Sequence, residues 1–419
     1  MKNVLVFSCG AIPAVDINFA LRGSKEYKVF GASSYDDHGL YIYENYIGNV
    51  PFLSDPDFLE KFNEILVEYA IDFIIPLHED MILYFQEHKE QLKATVISSC
   101  YETAVLCRYK SKTYARLSDC DFTPKTYEVE QVTQYPVFVK KDTDQGARNA
   151  YKVDNKEELL VHTASGDMVI CEYLPGEEVT VDCFTDRHGA LRFVNPRVAD
   201  RMLAGIDVHA RRLMADPEIQ RIAQQINEKI SFRGPWFFQI KRDAEGKFKL
   251  LEIATRFAGA FGMTRCMDIN TPLLALRDFE EKDIVVDYND IPIEADKIFI
   301  GRYTIPLDYD TVVLDNPEAL MIDSQVDGFF MMFVYQCVNK NKKLVLLSGD
   351  AEKAAAQLQA TKISERLFTF VAPENEGEAL YEKAIFISRD DGRRSAIRQK
   401  YGIACYSPTV VEALLDWKG

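Results

Sequence analysis

A hairpin pattern in residues 234–262 constrains the fold more than any other stretch of the sequence. Two apolar runs rich in β-forming residues flank a charged turn over 243–247, which is the pattern of two antiparallel strands. A turn centred in that segment places Gln239 directly opposite Glu252. Because strand side chains alternate between two faces, one face of the hairpin is polar. The other face is predicted to bury Phe238, Ile240, Leu251 and Ile253.

The polar face of this hairpin combines an amide, a carboxylate and a guanidinium. Gln239, Glu252 and Arg256 contribute these groups, and Gly259 and Gly262 follow. Amide and carboxylate oxygens suit a hard cation such as Mg²⁺, which also takes phosphate oxygens as ligands. A solvated face of an amphipathic hairpin has the same pattern, so the hairpin alone leaves both interpretations open.

Length, charge and cysteine usage limit what the protein can be. The 419 residues correspond to two or three domains, and 47% hydrophobic with 27% charged residues is an ordinary globular composition. The formal net charge of −16 argues against a nucleic-acid binder that works by phosphate neutralisation. The nine cysteines include no CxxC pair, and no apolar run approaches the roughly 18 residues of a membrane span. We therefore expect reduced thiols, no membrane partner and a cytoplasmic location.

Residues 1–95 alternate short apolar strands with helices, which predicts βαβ units around a parallel sheet. Gly10 is the only glycine in the first strand–helix turn, so the dinucleotide-binding fingerprint is absent. His78, Glu79 and Asp80 directly follow a predicted strand, and α/β sheets bind ligands beyond the carboxyl ends of their strands. A helix N-cap is the simpler interpretation of these three residues, and both remain open.

Two lysines and a loop in the central part of the chain favour a phosphate-binding site. Lys110 precedes a predicted helix over 113–117, and Lys140 ends a valine-rich strand. Cations at the start of a helix are unusual unless a phosphate lies nearby, since the helix dipole there favours anions. The loop over 142–149 contains Gly146 and can fold over phosphates through its backbone N–H groups. A plain hairpin loop fits this loop equally well.

An arginine-rich segment over 191–216 suits an anionic ligand, because the guanidinium group matches carboxylate and phosphate oxygens. Surface ion pairs are the usual role of a lone arginine. Five arginines in so acidic a chain favour an anionic pocket instead. The basic residues of this segment are Arg192, Arg197, Arg201, His209, Arg211 and Arg212.

The order of these features resembles the ATP-grasp superfamily, and within it the carbamoyl-phosphate-synthase-like and carboxylate–amine ligase branch. The resemblance covers about residues 1–295 and implies an α/β and α+β architecture. It implies a pre-ATP-grasp α/β domain at 1–95 and an ATP-grasp domain at 96–295, with a lid subdomain at about 125–185. The features that carry the resemblance are Lys110, Lys140, the run Glu172-Tyr173-Leu174-Pro175-Gly176-Glu177-Glu178, Gln239, Glu252 and Arg256.

The resemblance implies an enzyme that uses ATP to activate a small carboxylate as an acyl phosphate, which an amine substrate then attacks. Arg201 would assist catalysis, and Arg197, His209 and Arg211 would contact the acid. The remaining roles follow the family's order. They assign ATP phosphates to Lys110, Lys140 and the loop with Gly146, adenine to Glu172, Tyr173 and Leu174, ribose to Glu178, Mg²⁺ or Mn²⁺ to Gln239 and Glu252, and the transferring phosphoryl group to Arg256.

The chain departs from the family pattern at one metal ligand. The family often has Glu-x-Asn-x-Arg, in which the asparagine binds a second metal ion, and Ala254 stands at that position here. A methyl group cannot coordinate a cation, so two-metal chemistry is in doubt. A non-catalytic ATP-binding protein is therefore the alternative to a ligase.

Residues 296–419 are predicted to form a separate α/β unit with strands at 311–314, 343–347 and 384–387. The unit resembles the haloacid-dehalogenase-type phosphatases. Asp315 matches their nucleophile and Ser348 their second motif, but Pro317 stands where the acid/base aspartate belongs. The metal-binding acid pair after the last of these strands is replaced by Ser388 and Arg389. A working phosphatase is thus the weakest alternative, and a structural role or homodimer formation is the favoured interpretation.

Overall fold

The chain forms two compact units, Met1–Ile298 and Phe299–Gly419. All nine cysteines are free thiols and six of them are buried. Among the residues described, no helix has the length and apolar character needed to cross a membrane. The structure is a computed structural model that describes residues 1–144, 149–164, 166–203, 206–214, 216–297, 303, 305–322 and 325–416.

The first unit begins with a five-stranded parallel sheet, as the alternation of strands and helices predicts. Alternate side chains of its first strand enter two different apolar cores, because helices cover both faces of the sheet. Its elements are β1 (Lys2–Phe7), α1 (Ile12–Leu21), β2 (Tyr27–Ala32), β3 (Asn45–Ile47), α2 (Phe58–Glu68), β4 (Ile71–Pro76), α3 (Glu79–Glu87) and β5 (Thr95–Val96). The strand order is β3-β2-β1-β4-β5.

The His78–Asp80 cluster lies at the start of α3. The Asp80 backbone N–H donates to His78 Nδ1 at 3.3 Å, so the cap interpretation of His78 is correct. Glu79 is the first residue of the helix and is buried. The capping residue and the buried carboxylate therefore have separate surroundings, although they are neighbours in sequence.

Two helices and a small antiparallel sheet follow. The first residue of the second helix is Lys110, whereas the sequence pattern predicted that this helix begins at Thr113. The elements are α4 (Tyr101–Arg108), α5 (Lys110–Arg116), β6 (Thr126–Tyr127), β7 (Val137–Lys141), β8 (Ala150–Val153), α6 (Lys156–Thr163) and β9 (Met168–Glu172). The strand order β6-β9-β7-β8 packs Val137 and Val139 against Leu159 of α6.

A six-stranded antiparallel sheet completes the first unit. Its elements are β10 (Glu178–Thr185), β11 (Leu191–Leu203), β12 (Ile206–Arg212), α7 (Pro217–Lys229), β13 (Gly234–Arg242), β14 (Phe248–Ala254), α8 (Thr271–Phe279) and β15 (Glu294–Asp296). The order is β14-β13-β10-β11-β12-β15. One face buries Phe238 and Ile240 in a core that includes Ile222 and Ile226 of α7. The opposite face is left for the polar side chains of β10, β13 and β14.

The register of the β13–β14 hairpin agrees with the sequence prediction at one position and departs from it at the next. Gln239 pairs with Glu252, as predicted, but a bulge follows and Ile240 pairs with Leu250. The prediction that Leu251 is buried was wrong: Leu250 is 0% exposed in the core, and Leu251 is the extra residue of the bulge. A bulge moves later side chains to the other face, which sequence alternation alone does not reveal.

The second unit is built on another five-stranded parallel sheet. The predicted strands at 311–314, 343–347 and 384–387 are confirmed. The elements are β16 (Thr311–Leu314), β17 (Met321–Ile322), β18 (Gln325–Val326), α9 (Gly328–Asn339), β19 (Lys343–Leu347), α10 (Ala351–Ala360), β20 (Thr369–Val371), α11 (Glu378–Tyr381), β21 (Ala384–Ile387), α12 (Asp391–Tyr401) and β22 (Cys405–Tyr406). The sheet order is β20-β19-β16-β21-β22.

Arg197 lies in the interior of the six-stranded sheet. Its side chain is 2% exposed, its Nε lies 3.1 Å from Asp182 Oδ2, and its Nη1 also contacts Asp207. A guanidinium that already balances two carboxylates has no exposed surface to offer a substrate. The predicted contact of Arg197 with an anionic substrate is therefore at odds with the structure, and its role is to neutralise buried carboxylates.

Removal of the Arg197 guanidinium is expected to destabilise the first unit strongly. Arg197→Ala leaves two carboxylates without their cation inside the sheet, which costs about 3–5 kcal/mol for a buried pair that loses one partner. The free energy of unfolding, measured by urea denaturation of the full chain, checks this value.

Arg201→Ala is the matched control on the same strand. The Arg201 side chain is 60% exposed and pairs with Asp296 at the surface, so its loss should change the free energy of unfolding by less than about 1 kcal/mol. Equal losses in the two variants would contradict the structural role of Arg197.

Candidate active site

The contact between Lys110 and Glu252 joins helix α5 to the polar face of the β13–β14 hairpin. Lys110 Nζ lies 3.5 Å from Glu252 Oε2, and the lysine side chain is 7% exposed. Burial lowers the pKa of Lys110, and the nearby cations Lys140 and Arg108 lower it further, while Glu252 opposes them. Lys110 thus has two other cations nearby, of which Arg108 also pairs with Asp80 at 2.9 Å, and this concentration of positive charge suits an anion with several negative charges.

The hairpin bulge positions Lys140. The Leu251 carbonyl accepts a hydrogen bond from Lys140 Nζ at 2.9 Å and another from Tyr114 Oη at 2.7 Å. Lys140 Nζ also lies 5.4 Å from the centre of the Tyr114 ring. One carbonyl therefore links β7, α5 and β14. Leu251 is the extra residue of the bulge, and β14 is the edge strand of its sheet, so this oxygen can accept from groups outside the sheet.

The start of the loop after β7 contacts the same cations. The Asp144 carbonyl accepts from Lys110 Nζ at 2.7 Å, and the Thr143 carbonyl accepts from Arg108. Asp142 accepts from the Ser111 backbone N–H at 2.8 Å and from its hydroxyl at 2.7 Å. These oxygens are the kind of acceptor that a bound phosphate would also supply. Gly146, the predicted phosphate-binding glycine, lies outside the described residues.

Oxygen donors gather where β10, β13 and β14 run side by side. Gln239 pairs with Glu252 in register, and Gln239 Nε2 lies 3.4 Å from Glu178 Oε1 and 3.3 Å from Thr180 Oγ1. Burial raises the pKa of Glu178, and the negative charge of Glu252 acts in the same direction. The Glu252 carboxylate and the Gln239 amide oxygen are hard oxygen donors of the type that Mg²⁺ accepts.

The donor set fits one ion that is shared with a ligand. No group of three or more His, Cys, Asp and Glu side chains suited to a metal occurs in the described part of the chain. Magnesium usually completes its shell with water and phosphate oxygens, so a small protein contribution is normal. Ala254 adds no donor, because it packs with Phe237 and Ala258 in a small apolar cluster. The absence of a protein ligand at this position, noted in the sequence, is thus also a packing feature.

Arg256 lies at the end of this polar face, next to the first sheet of the unit. Its Nε donates to Glu79 Oε1 at 2.7 Å, its Nη1 donates to the Phe257 carbonyl at 3.1 Å, and its guanidinium carbon lies 5.2 Å from the centre of the Phe237 ring. The side chain is 15% exposed. The Phe237 ring and Glu79 therefore fix the direction of the guanidinium.

The residues predicted to contact the nucleoside follow β9. The Lys125 backbone N–H donates to Glu172 Oε1 at 2.8 Å, so one carboxylate oxygen already holds β6 against β9. Leu174 is buried, and the Tyr173 ring lies 5.4 Å from Lys152 Nζ. Glu178 lies on the next strand, beside Gln239. The adenine and ribose roles of these residues stay predictions.

The other basic residues predicted to bind the substrate belong to a network of ion pairs on β11, β12 and β15. His209 lies 3.0 Å from Glu294 and 3.1 Å from Asp296, and Arg201 also pairs with Asp296. Arg211 lies 3.0 Å from Asp200 and 3.4 Å from Glu177. The arginine-rich segment thus balances acids of its own sheet. The ion-pair interpretation fits this arrangement, and the substrate contacts of His209 and Arg211 stay predictions.

Two residues of the site were not assigned to it by sequence reasoning. Tyr114 is buried and supports Lys140, but a tyrosine in a helix has no pattern that distinguishes this role from core packing. Glu79 was noted for its place after a strand, and the structure adds its bond to Arg256. A cavity of about 890 Å³ elsewhere in the unit, lined in part by Lys89, Lys93 and Arg233, shares none of these residues.

In the second unit, Asp315 follows β16 and accepts a hydrogen bond from Ser388 Oγ at 2.8 Å. Arg393 Nε lies 3.5 Å from the other Asp315 oxygen, and Arg393 also contacts Glu376. Asp315 therefore already has a cation beside it without a metal ion. The resemblance of this unit to a phosphatase remains a prediction from sequence.

Comparison with known families points to the same part of the chain. Residues 164–296 match the profile of a family described as ATP-grasp in the biosynthetic pathway with Ter operon. This match spans the six-stranded sheet with its bulged hairpin. A search of curated protein sequences gave no significant match.

Solved structures with the same fold include two biotin carboxylases and a ligase. The biotin carboxylase domain of Hydrogenobacter thermophilus 2-oxoglutarate carboxylase, in complex with MgADP and bicarbonate, has a TM-score of 0.58 at 15% identity, over 69% of this chain and 72% of that chain. Biotin carboxylase from Campylobacter jejuni, in a β-γ-ATP complex, has a TM-score of 0.57 at 15% identity, over 68% and 72%. L-amino acid ligase from Bacillus licheniformis has a TM-score of 0.51 at 17% identity, over 67% and 74%. Residues 164–296 thus match a family of ATP-grasp proteins, and about two thirds of the chain has the fold of these solved structures.

Proposed function

We propose that the protein is an ATP-dependent ligase that activates a carboxylate as an acyl phosphate and joins it to an amine. The observation that carries this proposal is the convergence of Lys110, Lys140, Gln239 and Glu252 from separate elements. Lys110 Nζ lies 3.5 Å from Glu252 Oε2, and Lys140 Nζ lies 2.9 Å from the neighbouring Leu251 carbonyl. Cations beside hard oxygen donors suit the polyphosphate of Mg-ATP.

In the proposed first step, a carboxylate oxygen of the substrate attacks the γ-phosphorus of ATP, and the bond from that phosphorus to the bridging oxygen breaks. The products are an acyl phosphate and ADP. Lys110 and Lys140 neutralise phosphate oxygens, and Arg256 donates to the phosphoryl group in transfer. Gln239 and Glu252 would hold Mg²⁺, which when bound neutralises phosphate charge. Phosphoryl transfer needs positioning and charge neutralisation more than covalent catalysis by the protein.

In the second step, the lone pair of the neutral amine nitrogen attacks the acyl carbon, the carbon–oxygen bond breaks to release inorganic phosphate, and the nitrogen loses a proton to water. The ligase proposal is supported by the ATP-grasp fold and by the direction of Arg256, which lies on the same polar face as Glu252. Glu172, Tyr173 and Leu174 would contact adenine, and Glu178 would bind the ribose.

A non-catalytic nucleotide-binding protein is the second candidate. Of the two residues that would hold the metal ion, Gln239 is neutral and only Glu252 is a carboxylate, and Ala254 adds no ligand. This alternative predicts that Mg-ATP raises the melting temperature without turnover. A chain that binds Mg-ATP but releases no ADP with any acid and amine of the screen would favour this alternative.

The proposed ligase is expected to release ADP only with a matching acid and amine. The screen combines amino acids, uronic acids, short peptides and bicarbonate as acids with the common L-amino acids and methylamine as amines. Glu252→Ala should lower the rate of ADP release by about 100-fold or more, the scale on which loss of one charge-stabilising group acts.

Glu245→Ala, in the exposed turn of the same hairpin, is the control and should keep the parent rate. The ligase proposal fails if no acid and amine stimulate ADP release in a chain that binds Mg-ATP. It also fails if Glu252→Ala keeps full activity with the pair that the screen identifies.

A ribose contact at Glu178 is expected to appear with ATP and not with tripolyphosphate. Glu178→Gln should raise the Kd of Mg-ATP about tenfold or more, the effect of weakening a hydrogen bond to a charged group. The Kd of Mg-tripolyphosphate, which lacks a ribose, should stay within about twofold. Isothermal titration of both ligands measures the two constants.

Glu177→Gln is the matched control for this measurement, because Glu177 pairs with Arg211 at the surface. It should leave both constants unchanged. Equal weakening of ATP and tripolyphosphate by Glu178→Gln would reject the ribose role and assign Glu178 to the metal or the phosphates.

A further inference from the structure

Glu79 occupies the position in the first sheet where α/β folds bind ligands. From β1 the chain continues to β2 and β3 on one side, and β4 and β5 lie on the other, so the strand order reverses between β1 and β4. The Leu77 backbone N–H donates to the Phe7 carbonyl at 2.9 Å, which holds the two carboxyl ends together. Glu79 follows two residues later as the first residue of α3. Ligands of open α/β sheets bind in the crevice at such a reversal.

The Glu79 carboxylate is buried, and only one of its oxygens has a partner. Its side chain is 10% exposed, and Oε1 accepts from Arg256 Nε at 2.7 Å. Oε2 is buried and has no hydrogen-bond partner among the residues that the structure describes. A buried acceptor without a donor destabilises the fold, and more so when it is charged. The oxygen therefore requires a donor that the described part of the chain does not supply.

The Glu79 carboxylate contacts Arg256, the residue that donates to the phosphoryl group in the proposed reaction. Arg256 connects Glu79 to the polar face on which Glu252 lies, and the Phe237 ring supports the guanidinium. In the proposed reaction this guanidinium donates to the phosphoryl group of the acyl phosphate. Glu79 is therefore next to the group that would contact this intermediate, and the second substrate must approach the same intermediate.

We propose that Glu79 binds the incoming amine, with Oε2 accepting an N–H of the nucleophile. The proposal rests on the proposed function, because it assigns the amine subsite of the same ligase. A carboxylate favours a cationic or N–H-bearing ligand and repels a second carboxylate, so this position discriminates between the two substrates. An amine held here is oriented toward the acyl carbon, and such positioning is a large part of catalysis.

The bond between Arg256 and Glu79 gives the amine its place in the binding order. When the guanidinium turns to a phosphoryl oxygen, Glu79 loses its present donor and becomes a buried carboxylate without a cation. A charge in that state is costly, and an ammonium group relieves the cost. The amine therefore binds more tightly after the acid is activated than before.

The test uses Glu79→Gln in the full chain, with the acid and the amine that the screen identifies. Glutamine keeps an oxygen that can accept from Arg256 Nε, but it replaces the other oxygen with an NH₂ donor, which repels an amine donor. Two quantities are measured: the KM for the amine, and positional isotope exchange in ¹⁸O-labelled ATP with the acid alone. The isotope exchange reports the first step, in which no amine takes part.

We expect the factor by which Glu79→Gln raises the KM for the amine to be at least ten times the factor by which it lowers the rate of isotope exchange. Glu79→Asp keeps the charge and should give an intermediate KM. Glu87→Gln, at the exposed end of the same helix, is the control and should match the parent in both measurements. Circular dichroism and the melting temperature of each variant confirm that it folds.

The proposal is overturned if the KM for the amine rises by the same factor as the rate of isotope exchange falls, because Glu79 would then only position Arg256. An unchanged KM in a folded Glu79→Gln protein would also overturn it. A screen in which no pair of acid and amine stimulates ADP release contradicts the ligase function itself, and this result is distinct from a failure at Glu79.

Discussion

The Leu251 carbonyl is the contact on which the arrangement of the site depends. It accepts from Lys140 at 2.9 Å and from Tyr114 at 2.7 Å, and thereby joins a strand of the small sheet and a helix to the bulged hairpin. The bulge has two effects at once. It leaves Leu251 as an extra residue whose carbonyl accepts from Lys140 and Tyr114, and it places Leu250 in the core opposite Ile240. Glu252 keeps its pairing with Gln239, which a regular hairpin would also give.

The distribution of charge separates two groups of basic residues that look alike in sequence. The arginines of β11 and β12 pair with nearby acids, as for Arg197 with Asp182 and Asp207. Lys110, in contrast, has Lys140 and Arg108 nearby, and burial with these charges lowers its pKa. In a chain with a net charge of −16, this concentration of cations is a local exception. It is the reason to place the polyphosphate at the lysines and not at the arginines.

The first sheet and the six-stranded sheet meet at Arg256 and Glu79. Glu79 lies just after β4, where the strand order of the first sheet reverses, and it accepts from Arg256 at the end of the polar face. This pair gives the first sheet a chemical part in the proposed reaction. Ala254 also contributes to this arrangement. Its methyl group packs against Phe237, whose ring supports the Arg256 guanidinium, so the position that lacks a metal ligand contributes to the orientation of a cation.

The sequence by itself determined the parallel sheet of the first residues, the pairing of Gln239 with Glu252 and the strands of the second unit, because alternating polarity and turn residues act over a few neighbouring positions. It also gave the order of residues that resembles an ATP-grasp protein. Only the tertiary structure decided that a bulge displaces Leu251, that Arg197 is buried between two acids and that Glu79 holds Arg256. These features depend on partners that are distant in the chain, as for Glu79 and Arg256 or Lys140 and Leu251, and the local pattern of a sequence carries no information about which distant carboxylate or carbonyl a side chain will meet.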